Sequence, residues 1–145
     1  MVRRASVREA REVFELRLQL EPQAVAEGAR VARAADRVSQ AVLLERLDAL
    51  AGKGDIVQAG EIERAFLLGL IAPEQRPLTG EMLSRLQGAS HRYLNLAEPG
   101  GLEGTAAEHS LLLKAWTADG AEEAGRIAAA RIQRVRDRVL AALDS

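Results

Sequence analysis

The chain has 145 residues, enough for one domain with a core of its own. It contains no cysteine, which excludes disulfides, thiolate metal sites and a cysteine nucleophile, and aromatic residues are only 3% of it while Ala, Leu, Arg and Glu abound, a helix-forming composition. The formal charge is −1 at pH 7, so the chain as a whole lacks the electrostatic footprint of a nucleic-acid or anionic-membrane binder.

The N-terminal stretch MVRRASVREAREVFELR is charged throughout and has no apolar signal-peptide core. No apolar run approaches the roughly 18 residues of a membrane span, so a cytoplasmic protein without a membrane partner is expected. A first helix is predicted from an N-cap at Ser6 to about Leu20. Pro22 then either opens a second helix at its first turn or kinks a continuous one that ends near Ala34. Asp36 is placed to cap a helix through Ala51, closed by GKGD, and Asp55 to cap the next, which fades at APEQRP. Thr79 is the expected cap of a helix to about Glu98, ended by PGG. Thr105 and Glu108 form a capping box for a short helix to Thr117. Asp119 and Glu122, at the same spacing, open the last helix, which runs to about Leu143. The short connections favour antiparallel neighbours, so the expected fold is all-α, an antiparallel bundle of six to seven helices in one domain spanning 1–145.

Helical projection at about 100° per residue finds four ionisable residues inside apolar arcs. Arg17 lies among Ala10, Val13, Phe14, Leu20 and Ala24; Glu63 among Ile56, Ala59, Phe66, Leu67 and Leu70. His109 lies with Leu102, Ala106, Leu112, Leu113 and Trp116; Arg131 lies beside Ala124, Ile127, Val135 and Ala142. His109 and Arg131 flank the last turn at similar heights, roughly 15–18 Å away at about 1.5 Å per residue, so a helical hairpin makes them face each other. The height of Glu63 is left free by the connections between. Each residue has a plain structural reading. Arg131 can snorkel or pair with Glu63 or Glu21, and His109 can be a neutral core histidine on a backbone carbonyl. Together, four such groups in one small bundle call for mutual pairing or a ligand in a shared polar cavity.

The runs VFELRLQLEP (13–22), IERAFLLGL (62–70), EHSLLLKAW (108–116) and ADGAEEAGRIAAARI (118–132) resemble, in order and spacing, the FCD domain. That domain is the C-terminal effector-binding domain of FadR-subfamily GntR transcription regulators. VRRAS at the start is similar to the end of the wing that precedes it in such proteins. The resemblance implies a homodimeric helical bundle that binds a small organic acid in a central cavity. It contacts DNA only through a winged helix-turn-helix, and none is identifiable in this chain.

Many members of that family hold a divalent metal with one Asp and three His. At the matching positions this chain has Glu63, Leu67, His109 and Arg131. Glu63 and His109 are therefore the only remaining candidate ligands of a degenerate site, too few for a tight transition-metal centre, and Arg131 repels a cation. No metal or other cofactor is expected. Instead, Arg17, Glu63, His109 and Arg131 are the candidate effector-binding residues, with guanidinium taking over the carboxylate-binding role of a metal. The competing account is decay, in which Arg131 pairs with Glu63 and the cavity closes. Gln75 and Arg76 also depart from the Gly-Asn that commonly precedes the family's proline.

A helical dimerisation module without ligand is the alternative function. An enzyme is the third class: His109 with Glu63 or Glu108 could be offered as an acid–base pair, but Glu108 points about 100° away and no nucleophile or cofactor motif accompanies them. His91 reads as structural or solvated. In the run RIQRVRDRVL the arginines at 131, 134, 136 and 138 could suggest phosphate contacts, but with Asp137 interspersed they read as a solvated face.

Overall fold

A computed structural model describes residues 4–144, and among them the chain forms six helices and no strand. They are α1 (Arg4–Val31), α2 (Ala34–Gly52), α3 (Ile56–Gly69), α4 (Pro77–Ala97), α5 (Ala106–Thr117) and α6 (Ala121–Asp144). The expected all-α bundle is present. Its helix count is six because the segment around Pro22 is a single helix. Pro22 cannot donate to the carbonyl of Leu18, yet α1 continues through it because both flanking turns are buried along α6. The helix is also under way by Arg4, so Ser6 does not mark its start. Val2 and Arg3 of VRRAS lie outside the described residues.

Three further caps differ from expectation. Asp36 is the third residue of α2; its carboxylate accepts the N–H of Arg33, the residue at the cap, at 2.8 Å. α4 starts at Pro77, whose missing N–H costs nothing in a first turn, so Thr79 is already inside. Asp119 has a φ of +61° and belongs to the turn ending α5, while Gly120 supplies the carbonyl that takes the Ala124 N–H. Where the side chain and the turn agree, expectation and structure coincide. Asp55 accepts from the Gln58 N–H, and Thr105 and Glu108 exchange their capping-box bonds at 3.0 and 3.1 Å.

α1 runs antiparallel to α6 along most of its length, as the pairings of Arg11 with Asp144 and of Glu21 with Arg131 require. It is also antiparallel to α4. α2 and α3 form a hairpin, and so do α5 and α6. The apolar interior has two parts. One joins the second half of α1 (Ala24, Val25, Ala29) to α2, α3, Leu112 and Trp116 of α5, and the start of α6. The other joins Ala10, Val13 and Phe14 to Tyr93, Leu94 and the apolar stripe Ile132, Val135, Val139 and Leu143. Between them, on three helices at once, the chain places polar side chains: Arg17 and Glu21 on α1, Gln87 and Ser90 on α4, Arg131 on α6.

The carbonyls at the end of α3 are satisfied from other helices. Gln40 Nε2 donates to the Phe66 carbonyl at 2.7 Å, and Trp116 Nε1 donates to that of Leu70 at 2.8 Å. α1 passes so close to this end that a Cβ on Gly28 would lie 2.0 Å from the Leu70 oxygen. Backbone on both sides leaves nothing to yield. Gly28→Ala is therefore expected to cost about 1–3 kcal/mol or more, read as a lower urea midpoint with an unchanged slope.

Candidate functional site

The polar layer between the two apolar parts is built around Arg17. Its Nε and Nη2 donate to the two oxygens of Glu21, one turn on, at 3.0 and 2.9 Å. Its Nη1 and Nη2 donate to Glu103 at 2.8 and 3.1 Å, and Nη1 also reaches Ser90 Oγ at 2.9 Å. All five guanidinium donors thus have partners. Glu21 also accepts from Gln87 Nε2 at 3.1 Å and from Arg131 Nη2 at 3.0 Å. Arg131 Nη1 stands 3.6 Å from Glu103, an ion pair but beyond hydrogen-bond reach. Its Nε and Nη1 have no hydrogen-bond partner.

Glu63 and His109 form the adjoining end of the layer. His109 Nε2 and Glu63 Oε2 are 2.8 Å apart. Glu63 also accepts the backbone N–H of Glu103 at 2.8 Å and of Gly104 at 3.2 Å. The imidazole packs edge-on against Phe66, and its Nδ1 has no partner. Gly104 is required here, because a Cβ would come within 2.9 Å of the His109 ring.

Burial is nearly complete: Arg17 and Glu21 are 0% exposed, Glu63 and His109 1%, Arg131 2% and Glu103 5%. Removing charges this far from water is expensive, and only dense pairing offsets it. Burial by itself disfavours the Arg17 cation, but Glu103 and then Glu21 overcome that and hold its pKa above the ordinary value. Burial likewise pushes the Glu103 carboxyl up, and Arg17 and Arg131 outweigh it, bringing the carboxyl down to about 2. Two guanidiniums face three carboxylates, so the layer carries one net negative charge unless the His109 ring is protonated.

The segment that delivers Glu103 is held from outside. Arg138 grips Glu98 through Nε and Nη2 at 3.0 and 2.7 Å, and its Nη2 reaches the Leu102 carbonyl at 3.3 Å. Arg134 pairs with Glu108 at the start of α5. Surface depressions are lined by Leu20, Arg76 and Met82, by Arg33, Gln40 and Pro73, and, on the outer side of this segment, by Ile56, His91, Gly100 and Gly101.

A family model described as the FCD domain matches residues 12–134. The chain belongs to the FCD domain family. FCD domains are the C-terminal domains of GntR-family regulators. No curated protein matches the chain.

All four side chains singled out in the sequence of this FCD domain are buried in the one layer. The direct contacts among them reduce to Glu63 with His109. Arg131 pairs with Glu21, one of the two partners the sequence offered, and with Glu103, not with Glu63, so the decay account has the wrong partner. His109 is bonded to a carboxylate and not to a carbonyl. Glu103, Gln87 and Ser90 were missed. Glu103 sits in a loop, where helical periodicity says nothing, although a lone acid among glycines in PGGLEG is a visible oddity. Gln87 and Ser90 are uncharged, and so do not stand out among apolar neighbours. Of the projected apolar arcs, Leu20, Ile56, Ala106 and Ala142 prove to be exposed. His91 contacts Asn95 at 3.1 Å, and Arg136 and Arg138 pair with Asp137 and Glu98.

The donor set does not suit a divalent metal. Glu63 and His109 already bond each other, both Glu63 oxygens accept backbone N–H groups, and Leu67 offers no donor. Two permanent guanidinium cations share the layer. Among the described residues no group of three or more His, Cys, Asp or Glu is arranged to hold a metal.

Arg17→Met leaves Glu21 and Glu103 without their main counter-charge. It is expected to cost about 3–5 kcal/mol in urea unfolding. Glu103 titrates lower in the folded chain than its ordinary value of 4.5, so the unfolded state takes up protons first. Its contribution to stability is complete above that range and is lost as pH falls towards about 2. Acid titration of the thermal midpoint should therefore show a decline over this interval that Glu103→Gln makes shallower.

Proposed function

We propose that this FCD domain is the ligand-sensing and dimerisation part of a GntR-family regulator. A small organic acid enters the polar layer, the geometry of a homodimer changes, and a winged helix-turn-helix joined outside this chain reads the change. Such coupling requires the acid to bind one dimer geometry more tightly than another. The observation that carries the reading is the unpaired capacity inside the layer. Arg131 keeps Nε and Nη1, and His109 keeps Nδ1, fully buried and without hydrogen-bond partners. Buried donors such as the two Arg131 nitrogens normally find an acceptor, and a carboxylate matches a guanidinium fork, while His109 Nδ1, on a ring whose Nε2 faces the Glu63 carboxylate, offers a lone pair. In this reading the positive charge comes from Arg17 and Arg131, without a metal, and Glu63 and His109 shape the neighbouring wall.

The domain binds and does not catalyse. Ser90, the hydroxyl of the layer, donates to the Gln87 carbonyl and accepts from Arg17, so its hydrogen bonds go to partners other than His109. Among the described residues no helix is long and apolar enough to cross a membrane, which suits a regulator working in the cytoplasm.

One observation favours a second reading, a dimerisation module with a sealed interior: every donor of Arg17 is satisfied from within the chain. Calorimetric titration of a panel of mono- and dicarboxylic acids separates the two. Saturable binding is expected for at least one acid, weakened about tenfold or more in Arg131→Ala, equivalent to about 1.4 kcal/mol. Binding by none, or binding indifferent to the substitution, rejects the sensor. A native mass spectrum should show a dimer, and a dimer that takes up no acid supports the sealed module.

A further inference from the structure

The carboxylate of Glu103 differs from the other acids of the layer in how it arrives. Glu21 and Glu63 stand on long helices, whereas Glu103 hangs from the α4–α5 connection, in the run Pro99-Gly100-Gly101-Leu102-Glu103-Gly104. Three glycines flank it, and Gly100 holds a φ of +76° that other residues rarely adopt. The connection covers the layer from one side, and Glu103 dips from it to lay both oxygens against Arg17. This two-bond arrangement is the geometry in which guanidinium recognises a free carboxylate.

We infer that Glu103 is a tethered occupant of a carboxylate site formed by Arg17 and Arg131, and that an external monocarboxylate binds by displacing it as the 98–105 connection swings out. The inference rests on the sensing reading and states what the sensed acid must compete with. A monoanion reproduces the charge of the closed layer, while a dianion adds a further buried negative charge. An acceptor beside the carboxylate would also meet the free Nε and Nη1 of Arg131, because Nη1 already stands 3.6 Å from Glu103.

Two groups of contacts set the closed population. Inside, Glu103 pairs with the arginines and its N–H bonds Glu63. Outside, Arg138 straps Glu98 and the Leu102 carbonyl. A tethered group competes at an effective concentration in the millimolar range or above, so apparent affinity for a free acid falls in proportion to the open fraction. Glu98 and Arg138 lie outside the layer, so loosening them acts on the population of the closed loop and not on the carboxylate contacts themselves.

The test uses acetate and formate as probes of the whole chain, with chloride at equal ionic strength and acetamide as controls. Glu103→Ala is expected to melt at a lower temperature than wild type. Acetate or formate should raise its midpoint and bind it about tenfold or more tightly than wild type, as expected for removal of a competing tether. Chloride and acetamide should do neither, and adding Arg17→Met should abolish the rescue. Arg138→Ala, which leaves every group of the layer in place, should also bind acetate more tightly than wild type, and it decides the question if Glu103→Ala does not fold. Equal affinity of wild type and both variants for acetate overturns the tethered occupant, as does rescue by chloride to the same extent. Should the acid panel above still bind with dependence on Arg131, the sensing reading survives that failure. Should the panel bind nothing, both fall together.

Discussion

Five charges and an imidazole buried in one layer are the constraint around which this bundle is organised. Arg17 has no route to water, so its charge is tolerated only where Glu21 and Glu103 meet it. Those acids come from the same helix one turn on and from a loop far along the chain, with Arg131 of α6 closing the circuit on Glu21. The register of α1 against α6 and α4, and the path of the α4–α5 connection, must all satisfy this network at once. Apolar packing alone would accept several registers of helices as rich in Ala and Leu as these. A charge network accepts few, because a mismatched register leaves an ion unpaired in a low dielectric.

The same layer separates the interior into two apolar parts, and the close helix contacts lie beside it. Gly125 lets α6 approach the Pro22 turn of α1, where a Cβ would meet the Pro22 oxygen at 2.9 Å. Gly28 does the same between α1 and the end of α3. Small residues bring the backbones near enough for Glu21 and Arg131 to pair directly. Packed helices thus flank the polar slab on both sides, while the glycine-rich connection carrying Glu103 covers it without helical structure of its own.

Two guanidiniums give the layer a physical character unlike that of a metal centre. A divalent cation needs an ordered set of donors, while Arg131 brings its charge on the side chain and needs acceptors. Glu63 and His109 bond each other, and Glu63 also takes two N–H groups of the connection. They thereby fix the start of α5 and the backbone from which Glu103 reaches inward.

Much of this was legible in the chain itself. Helical periodicity separated four buried ionisable residues from a surface full of charged ones, because a residue on an apolar stripe is carried into the interior whatever its chemistry. Capping chemistry at Asp55 and Thr105 located helix starts, since those side chains bond their own backbone and need no other part of the fold. Asp36, Thr79 and Asp119 had equally suitable side chains and are not caps, because packing and turn geometry chose a neighbouring residue. Pairing was beyond the reach of periodicity. Of the two partners the sequence offered Arg131, it meets Glu21 and not Glu63, and Glu103 enters from a loop without period, because distance along the chain does not decide which groups a tertiary register brings within 3 Å. The sequence by itself determined the helices, the family and the burial of Arg17, Glu63, His109 and Arg131, all of which follow from local spacing. Only the tertiary structure decided who neutralises whom, since a buried charge is matched in space and not along the chain.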